Sequence, residues 1–149
     1  MREILFRAKR IDNGEWINGY YVYDYAHNAH FIFKNQLVCP NCINDRRIDY
    51  SMYDYEIDPE TLCKYTGLND KNGNKIWEND IVSIYTYSYM EPEEDYFGKV
   101  LYAVGWACWC IQQPDDEKPI PLCECEGSYQ TDRFVDGNIF DNPDLMKGE

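Results

Sequence analysis

Positive charge is scarce in this chain: 14 Lys and Arg stand against 27 Asp and Glu, a formal net charge of -13. A phosphate backbone would be repelled by most of such a surface, which counts against direct nucleic-acid binding. Histidine is nearly absent, with two residues, His27 and His30, in a segment that reads as a polar surface loop. There is no P-loop, no dinucleotide fingerprint, no H-E-x-x-H and no nucleophile elbow, so the commonest catalytic templates find no support. The longest mostly apolar stretch, Val100 to Ile111, is too short for a membrane helix. The N-terminus carries Arg2 and Glu3 and no apolar run suited to a signal peptide. The resulting expectation is a reducing, cytoplasmic setting without membrane contact, where the seven cysteines are thiols or metal ligands.

What is present is aromatic and acidic. At 149 residues the chain reads as one domain over 1–149, or two intertwined lobes of about 1–57 and 58–149. A domain of this size buries about 70% of its unfolded surface and needs no disulfide framework. An aromatic content of 16%, with 14 tyrosines, argues for a packed chain despite the acidity. The charge is uneven. Residues 1–48 hold 7 basic and 5 acidic side chains (+2), residues 49–149 hold 7 and 22 (-15). Solubility alone accounts for an acidic surface. Two sharper readings are an acidic decoy that imitates nucleic acid on a basic protein, and docking of the near-neutral front of one copy on the acidic body of another.

Apolar periodicity points to strands. Glu3 to Lys9 and Trp16 to Tyr25 read as partners across a two-residue Asn13-Gly14 hairpin, with Tyr21, Tyr23 and Tyr25 on one face. His30 to Phe33, Ile48 to Ile57, Val82 to Tyr89 and Val135 to Phe140 are further strand candidates. Asp58-Pro59-Glu60-Thr61 reads as one helical turn with Asp58 as cap and Pro59 first. Lys71-Asn72-Gly73-Asn74 is a turn, and Asn79 suits a left-handed backbone position. Gly98 to Ile111 is apolar on both alternating faces and reads as one strand, with a bulge at Gly105, completed by another subunit. Its interface candidates are Val100, Tyr102, Val104, Trp106 and Trp109.

The cysteines give the one metal-like pattern. Cys108 and Cys110 share a strand face, as do Cys123 and Cys125. If their strands fold back over Gln113 to Pro119, a symmetric register opposes Cys108 to Cys125 and Cys110 to Cys123. Such a four-sulfur patch can bind zinc, and small buried thiols are the alternative. Cys39-Pro40-Asn41-Cys42 has knuckle spacing but no second pair at the expected distance. Asp70-Lys71-Asn72-Gly73 places its glycine too early for a calcium loop. The tyrosine faces and Trp77, Trp106 and Trp109 lack the basic neighbours of a base-stacking platform.

Three segments carry a resemblance: Phe6 to Trp16 (F-R-A-K-R-I-D-N-G-E-W), Ile57 to Val82, and Gly137 to Pro143 (G-N-I-F-D-N-P). In the middle one, Ile57-Asp58-Pro59-Glu60-Thr61-Leu62 precedes Tyr65-Thr66-Gly67-Leu68, Asp70-Lys71-Asn72-Gly73 and Glu78-Asn79-Asp80-Ile81-Val82. This order resembles the central motif of the phage and prophage YopX family, with Asn79 where the family usually has glycine. The resemblance implies a phage or prophage origin and a bacterial host cytoplasm, and brings no biochemical activity. Gly67, Gly73, Asn79 and Asp80 read as turn residues, and Leu62, Tyr65, Leu68, Ile76, Trp77, Ile81 and Val82 as core.

The expected fold is mainly β, with antiparallel sheets, small-barrel (SH3-like) character and a helical turn near residues 59–62. The expected function is non-enzymatic binding by a protein that self-assembles and contacts a host or phage protein. The acidic decoy stands second and a zinc-binding structural module third.

Overall fold

The computed structural model describes residues 3–33, 55–87, 94–115, 118–122 and 130–147. They form antiparallel sheets joined by turns and short 3-10 segments. The chain divides into two compact units, residues 1–64 and 65–149.

In the first unit β1 (Phe6–Lys9) pairs with β2 (Trp16–Asp24), and β2 with β3 (Ala29–Phe33). The β1–β2 connection differs from the expected two-residue turn. Arg10 N–H donates to the Glu15 carbonyl and Gly14 N–H to the Arg10 carbonyl, so residues 11–14 form a four-residue loop. A two-residue type I′ turn needs positive φ at both positions. Here Gly14 alone has it (+71°), while the Asn13 side chain accepts from Glu15 N–H. His30 lies in β3 rather than in a loop, and Tyr25 lies beyond the end of β2.

Ala8, Ile17, Ile32 and Ile57 make this unit's core, with Phe6, Tyr21, Tyr55 and Leu62 packed around them. Ile57 is drawn in by bridging Arg10. Asp58 caps the 3-10 turn Pro59–Thr61 as expected, accepting from Glu60 N–H at 3.0 Å with Pro59 at the first position. The Thr61 hydroxyl oxygen accepts from Lys9 N–H at 2.8 Å, so the turn fastens to β1.

β4 (Cys63–Asn69) leaves the first unit, where Cys63 and Lys64 pair with β1, and enters the second, where it pairs with β5 (Lys75–Trp77). Gly67 is not in a turn. It is a left-handed residue (φ +86°) inside β4, where the β4–β5 register shifts between Tyr65 and Asn69. Only a residue without a Cβ takes that conformation without cost.

The sheet of the second unit runs β10-β6-β7-β8-β9, with β6 Asp80–Tyr87, β7 Glu94–Ala103, β8 Cys108–Gln112, β9 Ile120–Pro121 and β10 Gln130–Asn138. Its core is Ile76, Val82, Ile84, Val100, Trp109, Ile111 and Leu122. Among the described residues no ladder joins β9 to β10, so SH3-like closure is not shown. No helix among them is long and apolar enough to cross a membrane.

The apolar run from Gly98 to Ile111 is two strands, not one. β7 ends at Ala103, a 3-10 turn spans Val104–Trp106, and Ala107 takes a left-handed conformation (φ +52°) before β8 returns. Gly105 is therefore at a hairpin tip and not a strand bulge. The run is apolar on both alternating faces because one face of each strand meets the core and the tip between them does not.

Candidate interaction surface

The β7–β8 hairpin is locked at its base and bare at its tip. At the base Val100 opposes Ile111, both fully buried, and Leu122 N–H donates to the Trp109 carbonyl at 2.9 Å. Gly98 sits against β8 so closely that a Cβ there would overlap the Gln112 carbonyl, whose carbon would stand 2.7 Å away. Trp109 is buried and meets Tyr102 edge to face, ring centroids 5.3 Å apart. Above that pair the side chains leave the protein: Tyr102 is 46% exposed, Trp106 54% and Val104 83%.

Of the five residues proposed from sequence as interface, the structure places Val100 and Trp109 in the core and keeps Tyr102, Val104 and Trp106 at the surface. Residues 100–113 form a stretch of 14 without one charged side chain, in a chain whose residues are 28% charged.

Cys108 and Cys110 share a strand face as expected, with sulfurs 3.6 Å apart. The symmetric cysteine register does not form: Cys110 opposes Pro121, two positions from Cys123. Cys39, Cys42, Cys123 and Cys125 lie outside the described residues, as do most of the acidic loop residues 91–94 and 116–117. Among the described residues no group of three Cys, His, Asp or Glu side chains is disposed to hold a metal ion.

The motif residues are occupied in building turns. Asp70 is buried and accepts at both carboxylate oxygens: Oδ1 from Asn72 and Asn74 N–H (2.9 and 2.8 Å), Oδ2 from Asn74 Nδ2 and Val135 N–H (both 3.1 Å). Burial pushes its pKa up, yet the bonds from Val135, Asn74 and Asn72 outweigh it and hold the carboxyl below the usual range. Lys71 N–H also donates to the Arg133 carbonyl at 2.9 Å. The turn thus occupies backbone groups along the outer edge of β10, where an open strand invites unwanted pairing. This carboxylate is saturated by N–H donors, which is why the calcium-loop pattern comes to nothing.

The next turn follows the same logic. Asp80 is buried and accepts from Trp77 N–H at 2.8 Å. Asn79 takes the left-handed conformation expected from its replacement of glycine (φ +67°). Its N–H donates to the Val100 carbonyl and its carbonyl accepts from Ile139 N–H, tying β5–β6 to β7 and to the end of β10. Asn138 closes the last turn, its side-chain oxygen accepting from Phe140 and Asp141 N–H.

One feature of the first unit escaped the sequence reading. Trp16 lies beneath two cations, with the Arg7 guanidinium 4.6 Å and the Lys9 ammonium 5.4 Å from its ring. The signal was available: Arg7 and Lys9 alternate on β1, and the hairpin register puts Trp16 opposite Lys9. On the same hairpin the Tyr21 hydroxyl meets His30 Nδ1 at 2.6 Å, and burial, followed by the neighbouring Tyr23 and Tyr25, raises the Tyr21 pKa.

These observations define an antiparallel β protein of two units whose motif residues serve turns and strand edges, and whose least charged surface is a hairpin tip. Comparison with known families matches residues 5–147, nearly the whole chain, to the YopX protein family, and the chain belongs to it. A search of curated proteins finds no match.

Proposed function

We propose that this is a non-enzymatic phage or prophage accessory protein of the bacterial host cytoplasm, acting by protein–protein binding, with a second copy of itself on the β7–β8 tip. The observation that carries this reading is the exposure of Val104 and Trp106 within a charge-free stretch. Two copies that each carry -13 repel almost everywhere else. At the tip they can meet without a like-charge penalty.

Magnitude sets the kind of assembly. Burying Val104 and Trp106 on both copies is worth about 2 kcal/mol per side chain, roughly 8 kcal/mol in all. Association itself costs about 4–15 kcal/mol. The tip therefore supports a concentration-dependent dimer and not an obligate one. Sedimentation velocity across concentration and salt tests this. The dimer should grow with both, because salt screens the repulsion between acidic bodies, and a Val104→Glu/Trp106→Glu variant should stay monomeric with unchanged Tm. A monomer at every concentration and salt would overturn the proposal.

The acidic decoy remains the second reading, favoured by the -15 carried on residues 49–149. Binding to a basic partner would weaken with salt, the opposite direction.

A further inference from the structure

Cys108 and Cys110 are adjacent outward positions of one strand, and their sulfurs stand 3.6 Å apart. That separation suits one chemistry and not another. Side chains two apart on a strand rise from points about 6.6 Å apart, whereas a disulfide needs Cβ atoms about 3.5–4.5 Å apart. Joining these sulfurs directly would break β8 away from β7. A single bridging ion has no such requirement. With metal–sulfur bonds of about 2.3 Å, the edge of a tetrahedral thiolate site is about 3.8 Å. The pair already has nearly that spacing with the strand intact.

The surroundings favour a soft ion as well. Cys108 opposes Ala103, and Cys110 lies between Leu101 and Pro121, so the in-register neighbours are uncharged. Cys108 is half-buried and Cys110 buried, which makes Cys108 the point of entry. Cys63, the other cysteine with a described position, donates its S–H to the Thr61 carbonyl at 3.2 Å and has no sulfur neighbour of this kind.

We infer that Cys108 and Cys110 form a chelating dithiol for one thiophilic divalent cation of the zinc and cadmium class. Each thiol releases its proton to solvent as its sulfur takes the ion, and nothing is oxidised. No third Cys, His, Asp or Glu among the described residues completes the group, so the remaining positions belong to water.

The test uses the full chain, reduced and chelator-treated, titrated with cadmium alone and followed by thiolate-to-cadmium ultraviolet absorption and native mass spectrometry. One ion per chain is expected, lost in Cys108→Ser and in Cys110→Ala and kept in Cys63→Ser. Cys108→Ser is the primary variant because its half-buried side chain tolerates a hydroxyl, and an unchanged metal-free Tm shows that the fold survives. An ion that persists in Cys108→Ser, or that depends on Cys39 and Cys42, would overturn the site. An ion that also needs Cys123 or Cys125 would overturn the two-ligand form. Oxidised glutathione supplies a further check: a Cys108–Cys110 disulfide peptide, two hydrogens lighter, would refute the spacing argument.

Discussion

Replacing Asp70 by asparagine changes one atom and should unseat a turn. Every partner of this carboxylate is a donor: two backbone N–H groups at Oδ1, and Asn74 Nδ2 with Val135 N–H at Oδ2. Asparagine keeps one acceptor oxygen, which can hold the Oδ1 pair. Its amide then points N–H groups at two other donors. Bonds to a charged acceptor are worth about 1.5–3 kcal/mol each, and a buried donor left unpaired costs about 1–3 kcal/mol. Because the two Oδ2 partners share one oxygen, the loss is not additive, and about 2–4 kcal/mol is the expected cost. Thermal unfolding should report this as a fall in Tm of about 5–15 °C. Asn72→Ala is the control, since it keeps the backbone donor, and should cost no more than about 0.5 kcal/mol.

Acid supplies a second readout of the same group. The folded pKa is depressed, so the stabilisation is fully present above the unfolded carboxylate value of about 3.9 and is lost as pH falls through the folded value. The gap between wild type and Asp70→Asn should therefore narrow below about pH 4. A Tm within about 2 °C of wild type, or a gap constant through the acid range, would refute the clamp.

Two further substitutions probe the backbone. Gly98→Ala forces a methyl against the Gln112 carbonyl, an atom fixed by strand pairing. It should cost about 2–3 kcal/mol in chemical denaturation, with hydrogen exchange accelerated along β7 and β8. At Asn79, substitution by alanine should cost about 1 kcal/mol while substitution by glycine stays within about 0.5 kcal/mol of wild type, read from denaturation midpoints. Equal effects would refute backbone conformation as the reason for Asn79.

The sequence was most legible where a residue's local chemistry decides its conformation. Asp58 before Pro59 forms the cap it should, and Asn79 takes the left-handed turn. Ile76 and Trp77 are buried where the motif reading put them. Legibility failed where a long-range partner decides. Asn13-Gly14 looks like a two-residue turn in isolation, but the Lys9–Trp16 register leaves four residues between the Arg10 and Glu15 bond. Gly67 looks like a turn glycine, and only the slip between β4 and β5 shows it to be a bulge. The Gly98 to Ile111 run has no proline, asparagine or aspartate to mark its reversal. Its turn is made by Val104-Gly105-Trp106-Ala107, residues that read equally well as strand.

That last failure bears on where function is to be sought. Motif residues draw attention because they are recognisable, yet Asp70, Asp80, Asn79 and Asn138 have their described hydrogen-bonding capacity directed at backbone groups of neighbouring turns and strands. A carboxylate that accepts four N–H bonds has little left for a substrate or an ion. The β7–β8 tip lies outside the three motif segments and spends apolar side chains on solvent, which folding alone does not require. A turn of Asn and Gly would close the same two strands at lower exposure. Exposed tryptophan in an acidic protein is accounted for by something that covers it, and the tip is therefore the place to look for a partner.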